Sequence, residues 1–238
     1  MTIIKDTLEY TDGDTVLEAT LAWDDAITGP RPAVAVAHAW GGKTHFEIGK
    51  AEHLARLGYM GCALDVYGKG VTGTNPEENA ALMQPLMDDR DKLLRRLNLG
   101  IDKLADNQLV MAAEMAAIGF CFGGLSVLDL ARSGSKLRGV VSLHGLFIPL
   151  GREPQPIVAK VLVLHGWDDP MAPPDQALAL TRELTDAGAD WQLHAYGNTM
   201  HAFTNPEANM PDDGILYIPR AERRALQSVE NFLGEIFA

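Results

Sequence analysis

Cys121 stands in the frame G-x-C-x-G-G, with Gly119, Gly123 and Gly124 around it. An apolar run from Met115 precedes it, and a helix-like period follows to Ala131. A strand running into G-x-nucleophile-x-G and then a helix describes a nucleophile elbow. Such a turn brings the flanking residues too close for side chains, which glycine avoids, and it holds the nucleophile above the strand end. The positive end of the following helix favours an anion there, which for cysteine is the thiolate. Two plainer readings compete. Free cysteine usually packs as a small core residue, and glycine-rich strand–helix turns also bind phosphate. The phosphate reading fits badly, because a dinucleotide fingerprint needs G-x-G-x-x-G directly after the first strand.

A thiol nucleophile needs a base, and the base needs an orienting acid. "VLVLHGWDDPMAPP" ends a strand at His165-Gly166 and continues into Asp168-Asp169 and a proline-rich helix entry. "YGNTMHAFTNP" follows the last strand and offers His201 in a polar loop. The order cysteine, acid, histidine is that of α/β-hydrolases. Strand ends on one edge of an open parallel sheet would bring the three loops together. Among the seven histidines, His53 falls in a helix-like stretch and His194 in a strand, and both read as structural. His144 and His165 lie at strand ends and could touch the site, His165 by holding the acid loop in shape. His201 alone combines loop position, chain order and flexibility. Hydrolases of this sort carry H-G-x-x-D-x-x-x-P at the acid turn, and His165 to Pro173 fits with Asp169 as the acid, leaving Asp168 to cap or solvate the turn.

Acyl transfer develops charge on a carbonyl oxygen, so an oxyanion hole is expected. Phe122 supplies one backbone N–H, and Ala39 or Trp40 in "HAWGGKT" the second. Pocket walls are expected from Trp40, Tyr67, Lys69, Phe147, Trp167 and Phe203, each near a predicted strand end and each open to a plain packing role. No spaced His/Glu set such as H-E-x-x-H occurs, so no metal or organic cofactor is called for.

The elements that must carry these residues read as α/β. Two period-2 segments, Ile3–Tyr10 and Thr15–Trp23, meet at Asp12-Gly13 as a hairpin. Short apolar runs follow at Ala33–Trp40, Tyr59–Val66, Met115–Phe120, Arg138–Gly145, Lys160–Gly166 and Trp191–Tyr196, as expected of a sheet covered on both faces. Asn75-Pro76-Glu77-Glu78 starts a helix with Asn at N-cap, Pro at N1 and Glu at N3. Residues 173–187 form another, and Leu226, Val229, Leu233 and Ile236 mark an amphipathic last helix. Leu86–Ala113 reads as two helices broken near Asn98-Leu99-Gly100. The expected architecture is a doubly wound, mostly parallel sheet with an N-terminal antiparallel hairpin and no large lid, in one domain over residues 1–238.

With 238 residues and 47% hydrophobic content, the chain can bury a substantial core. Twenty basic against 32 acidic residues leave a net charge of −12, which argues against nucleic acid or an anionic membrane as partner. No signal peptide and no apolar run of roughly 18 residues is seen. The two cysteines, Cys62 and Cys121, make no disulfide framework, which suits a cytoplasmic setting. No sequence signal speaks to oligomeric state.

Together "IGFCFGG", "HGWDDPMAPP" and "YGNTMHAF" resemble the dienelactone hydrolase family of cysteine-dependent α/β-hydrolases, over about Arg31 to Phe203. The resemblance implies a compact lidless fold, Cys121 as nucleophile, Asp169 as acid and His201 as base. Two departures stand out. Where the family carries a thiolate-controlling glutamate, this chain has Ala39 beside His38, with no acid nearer than Glu47. Where the family has two carboxylate-binding arginines, it has Lys69 and, near the second, Asn205. A lysine offers a point charge without the arginine fork. Hydrolysis of a small ester or lactone through an acyl-thioester is therefore the expected activity. A non-catalytic binding protein that keeps the elbow is the alternative. A redox thiol protein ranks last, because its only resolving partner, Cys62, sits inside a predicted strand.

Overall fold

The computed structural model describes residues 2–152 and 155–238 and divides into two compact units, one ending at Ala117 and one running from Ile118 to Ala238. The first unit opens with the expected hairpin, β1 (Ile3–Asp12) and β2 (Thr15–Asp24), paired antiparallel from Ile3↔Asp24 to Asp12↔Thr15. Then come β3 (Arg31–Ala37), α1 (His45–Arg56), β4 (Met60–Ala63), α2 (Pro76–Asp88), α3 (Arg90–Ala105) and β5 (Val110–Phe120), whose end passes into the second unit. The strands lie in the order β1-β2-β4-β3; β4 is antiparallel to β2 and parallel to β3. Ala33 to Val36 and Met60 to Ala63 are wholly buried, so their unbroken apolar runs need no polar alternation.

Helix α2 begins as its sequence dictates: Asn75 Oδ1 accepts the Glu78 N–H at 2.9 Å and Pro76 occupies the first turn. The expected break near Asn98–Gly100 is not there. The chain breaks at Asp89, whose carboxylate caps α3 by accepting the Lys92 N–H at 2.8 Å. Gly100 lies inside α3 for a packing reason: a Cβ there would sit 2.8 Å from Leu64 Cδ2 and 3.0 Å from the Tyr10 ring. Asp12, at the hairpin tip, accepts from Arg95 Nε at 2.7 Å and Arg96 Nε at 2.9 Å, tying the hairpin to α3.

The second unit contains α4 (Phe122–Arg132), β6 (Gly139–Leu143), β7 (Lys160–Gly166), α5 (Pro174–Asp186), β8 (Trp191–Tyr196), the short strands β9 (Asn209–Met210) and β10 (Ile215–Leu216), and α6 (Pro219–Ile236). Strands β6, β7 and β8 are parallel neighbours, in register through Leu143↔Leu164 and Gly166↔Tyr196. Helix α6 buries Ala225, Val229, Phe232, Leu233 and Ile236, with Leu226 half-buried at the margin of the stripe. Each large apolar side chain so buried contributes about 1.5–3 kcal/mol of transfer free energy. Among the described residues there are six α-helices, and no helix is long and apolar enough to cross a membrane.

Candidate active site

Cys121 occupies the N-cap of α4 with φ 55° and ψ −113°, in the positive-φ half of backbone space that non-glycine residues seldom enter. Its N–H donates to the Leu143 carbonyl at 3.0 Å, and its own carbonyl accepts from Leu125 N–H at 3.2 Å. The turn is tight at the glycine the sequence pointed to. A Cβ on Gly119 would lie 2.0 Å from the Gly123 carbonyl oxygen, a backbone atom that cannot yield. The thiol is partly exposed and sits at the positive end of α4, beside the Phe122 N–H of the first turn. Cys62, also free, differs in both respects: it is fully buried in β4, and burial pushes its thiol up to about 12.

Of the two neighbouring carboxylates, Asp169 is the one at His201. Its Oδ2 accepts from His201 Nδ1 at 2.7 Å, and its Oδ1 accepts the Met171 N–H at 2.8 Å. Asp168 is exposed, and its N–H donates to the Thr199 carbonyl at 3.0 Å. Asp169 and His201 are both buried. The second ring nitrogen, Nε2, is buried outside any fully formed hydrogen bond, and the neighbouring Cys121 side chain acts on the ring electrostatically. Burial opposes the imidazolium, but the Cys121 sulfur and the Asp169 carboxylate outweigh it and push His201 up to about 10. The arrangement favours the protonated ring.

The loop carrying His201 is less free than its composition suggested. The His201 N–H donates to Gly214 O at 2.9 Å, and its carbonyl accepts the Leu216 N–H at 3.1 Å, so the residue is laddered onto β10. Gly214, at φ 73°, backs against the acid loop: a Cβ there would meet Pro170 Cγ at 2.3 Å. The 209–216 hairpin therefore grips His201 and borders the Asp169 loop. Nothing in the sequence pattern singled it out, since two-residue strands show no period.

The other histidines divide as follows. His53 is on α1, and His194 on β8 meets Ser228 Oγ at 3.1 Å. His144 is buried with its ring 5.3 Å from that of His201. His165 does not hold the acid loop by hydrogen bonds: among the described residues neither ring nitrogen has a partner. Its ring packs 5.1 Å from Phe147 and 6.2 Å from Trp167, and burial pushes its imidazole down, with Asp169 opposing.

The wall residues fare unevenly. Phe203 is fully buried, packed 5.2 Å from His144 and 5.5 Å from Tyr196, so it is core and not an open wall. Trp167 is 39% exposed. Phe147 contributes to a cavity of about 560 Å³ with Ile148, Leu150, Ile157 and Leu180, and none of Cys121, Asp169 and His201 lines it. Asn205 Oδ1 accepts the Glu207 N–H at 3.0 Å, closing a turn.

In the first unit, the loop after β3 departs from expectation at Ala39. Its N–H donates to Glu47 Oε1 at 3.1 Å, while Glu47 Oε2 accepts from Thr44 N–H and Oγ1 at 2.9 and 2.8 Å. Ala39 is thereby spent within its own loop, whereas the Trp40 N–H takes no acceptor among the described residues. The Trp40 carbonyl accepts from Tyr67 Oη at 3.0 Å. Lys69 is held by two carboxylates, Glu9 and, at 2.9 Å, Glu18, so its charge is already matched on the hairpin.

A mixed sheet flanked by helices, with a nucleophile elbow at a strand end and a histidine–carboxylate pair on the following loops, defines an α/β-hydrolase; no large lid is inserted among the described residues. The Dienelactone hydrolase family profile matches residues 17–237, and the chain belongs to that family of hydrolases. It is 34% identical to a solved structure described as m3DLH, with a TM-score of 0.95 and both chains fully covered. It is 32% identical, at a TM-score of 0.91 and again with both chains fully covered, to a dienelactone hydrolase-like promiscuous phosphotriesterase, P91, from metagenomic libraries. A Bradyrhizobium protein named as a probable 2-oxo-3-(5-oxofuran-2-ylidene)propanoate lactonase is 25% identical over 209 residues, 82% of this chain and 84% of its own.

Proposed function

We propose that this hydrolase cleaves a small carboxylic ester or lactone through Cys121, His201 and Asp169. The observation that carries the reading is the buried His201 ring, bonded to Asp169 on one side and charge-coupled to Cys121 on the other. The Cys121 thiolate attacks the carbonyl carbon, forming a C–S bond and placing negative charge on the oxygen. The Phe122 N–H receives that charge. Collapse breaks the C–O bond as His201 Nε2 gives its proton to the departing alkoxide. Water then loses a proton to Nε2 and attacks the thioester. The C–S bond breaks, the acid leaves, and the imidazolium–thiolate pair is restored.

Family membership and the named lactonase relative support ester and lactone substrates. With both carboxylate-binding arginines absent and Lys69 matched by Glu9 and Glu18, a carboxylate-bearing dienelactone is not the favoured substrate. Likeness to the phosphotriesterase supports adding an aryl phosphotriester as a second substrate class. Two unpaired cysteines support a reducing, cytoplasmic setting.

The test is a panel of aryl esters, lactones and one aryl phosphotriester assayed with wild type and Cys121→Ala. Loss of at least about 10³-fold in kcat/KM for the variant is expected. Unchanged turnover would defeat the mechanism, and no turnover of any substrate by wild type would favour a binding protein.

A further inference from the structure

We infer that His144 is a positioning residue that fixes the tilt of the His201 ring, and so the direction of Nε2. The inference rests on the Cys121–His201–Asp169 reading. A single hydrogen bond from Nδ1 to Asp169 leaves rotation about its own axis, and Nε2 lies off that axis. Something must stop the rotation. The ring of His144 stands against that of His201 at 5.3 Å and 68°, an edge-to-face contact.

His144 is itself held from several directions. Its Nε2 meets Thr204 Oγ1 at 2.8 Å, and its ring lies 5.2 Å and 79° from Phe203 and 5.9 Å from Phe120. Its N–H donates to the Leu164 carbonyl at 2.9 Å, extending the β6–β7 ladder by one residue. Its φ is +37°, a strained value for a side chain of this size, and strain of this kind persists where the surroundings over-determine it. Phe120 immediately precedes the nucleophile, and Phe203 and Thr204 follow the base by two and three residues. One imidazole thus touches the chain next to the sulfur and the loop that carries its partner.

The experiment compares His144→Leu, His144→Ala and His144→Phe in the full chain. The readouts are steady-state kinetics on the best ester of the panel, the pH profile of Cys121 alkylation by iodoacetamide, and melting temperature. If the flat ring sets the tilt, Leu and Ala lower kcat at least about tenfold with KM within about threefold. They also move the alkylation midpoint upward, because the imidazolium pairs less well with the sulfur. Phe, which keeps the ring and loses only the Thr204 bond, stays within about threefold of wild type in kcat and keeps the profile. A Leu variant indistinguishable from wild type, a Phe variant as impaired as Leu, or a change confined to KM would overturn the inference. If the Ala variant does not fold, the Leu–Phe comparison decides. An inactive Cys121→Ala beside an unimpaired His144→Leu defeats this inference alone, whereas an active Cys121→Ala defeats the triad reading as well.

Discussion

Asp168 and Asp169 are adjacent in the chain and opposite in environment: one faces solvent, the other is buried against an imidazole. A carboxylate in the second setting orients the imidazole and stabilises its cation, and one in the first does neither. Asp169→Asn is expected to lower kcat/KM by about 10²–10⁴ while Asp168→Asn stays within about threefold. Iodoacetamide gives a second measure. Asp169 helps hold His201 protonated well above the usual imidazole range, and the proposed mechanism pairs that imidazolium with the Cys121 sulfur. Without that carboxylate the pair weakens, and alkylation at pH 6–7 should slow. That Asp169 and not Asp168 meets His201 was legible because H-G-x-x-D-x-x-x-P fixes a spacing. Ala39 was not, because its N–H is taken by Glu47, eight residues along on a helix whose capping box aims the carboxylate back over the loop. Sequence spacing records the cap but not its second client.

Among the elements, the parallel strands and the amphipathic helices were readable because each carries a period long enough to count. The 209–216 hairpin was not: two residues a side is below any period, and its value lies in what it touches. Gly214 tests that value. Its Cβ would collide with Pro170, whereas Gly134, at a similar φ of 76°, has open space around it. Gly134→Ala should therefore cost only backbone strain of about 1 kcal/mol, and Gly214→Ala that plus displacement of the acid loop. Thermal unfolding and kcat measured side by side should find Gly214→Ala lower in both and Gly134→Ala lower in melting temperature alone. The misplaced helix break has the same root. Gly100 looks like a terminator in the chain, but it is a point of close approach to Leu64 and Tyr10.

For the molecule as a whole, acid sensitivity follows from its carboxylates. Arg95 and Arg96 hold the Asp12 carboxyl down to about 2, and Lys69 and Lys5 hold Glu18 and Glu52 below the usual range. Groups depressed in this way stabilise the folded chain above their unfolded values near 4, and that contribution disappears as pH falls through the folded ones. Urea unfolding followed from pH 5 to 2 should show a declining midpoint, and Asp12→Asn should be less stable at pH 7 with a shallower acid decline. An Asp12→Asn profile parallel to wild type would remove the hairpin–α3 tie from the account. The backbone of His201, meanwhile, is bonded on both its N–H and its carbonyl. In the proposed mechanism, passing a proton between sulfur, leaving group and water then asks nothing of the main chain; only the imidazole's own two torsions need adjust.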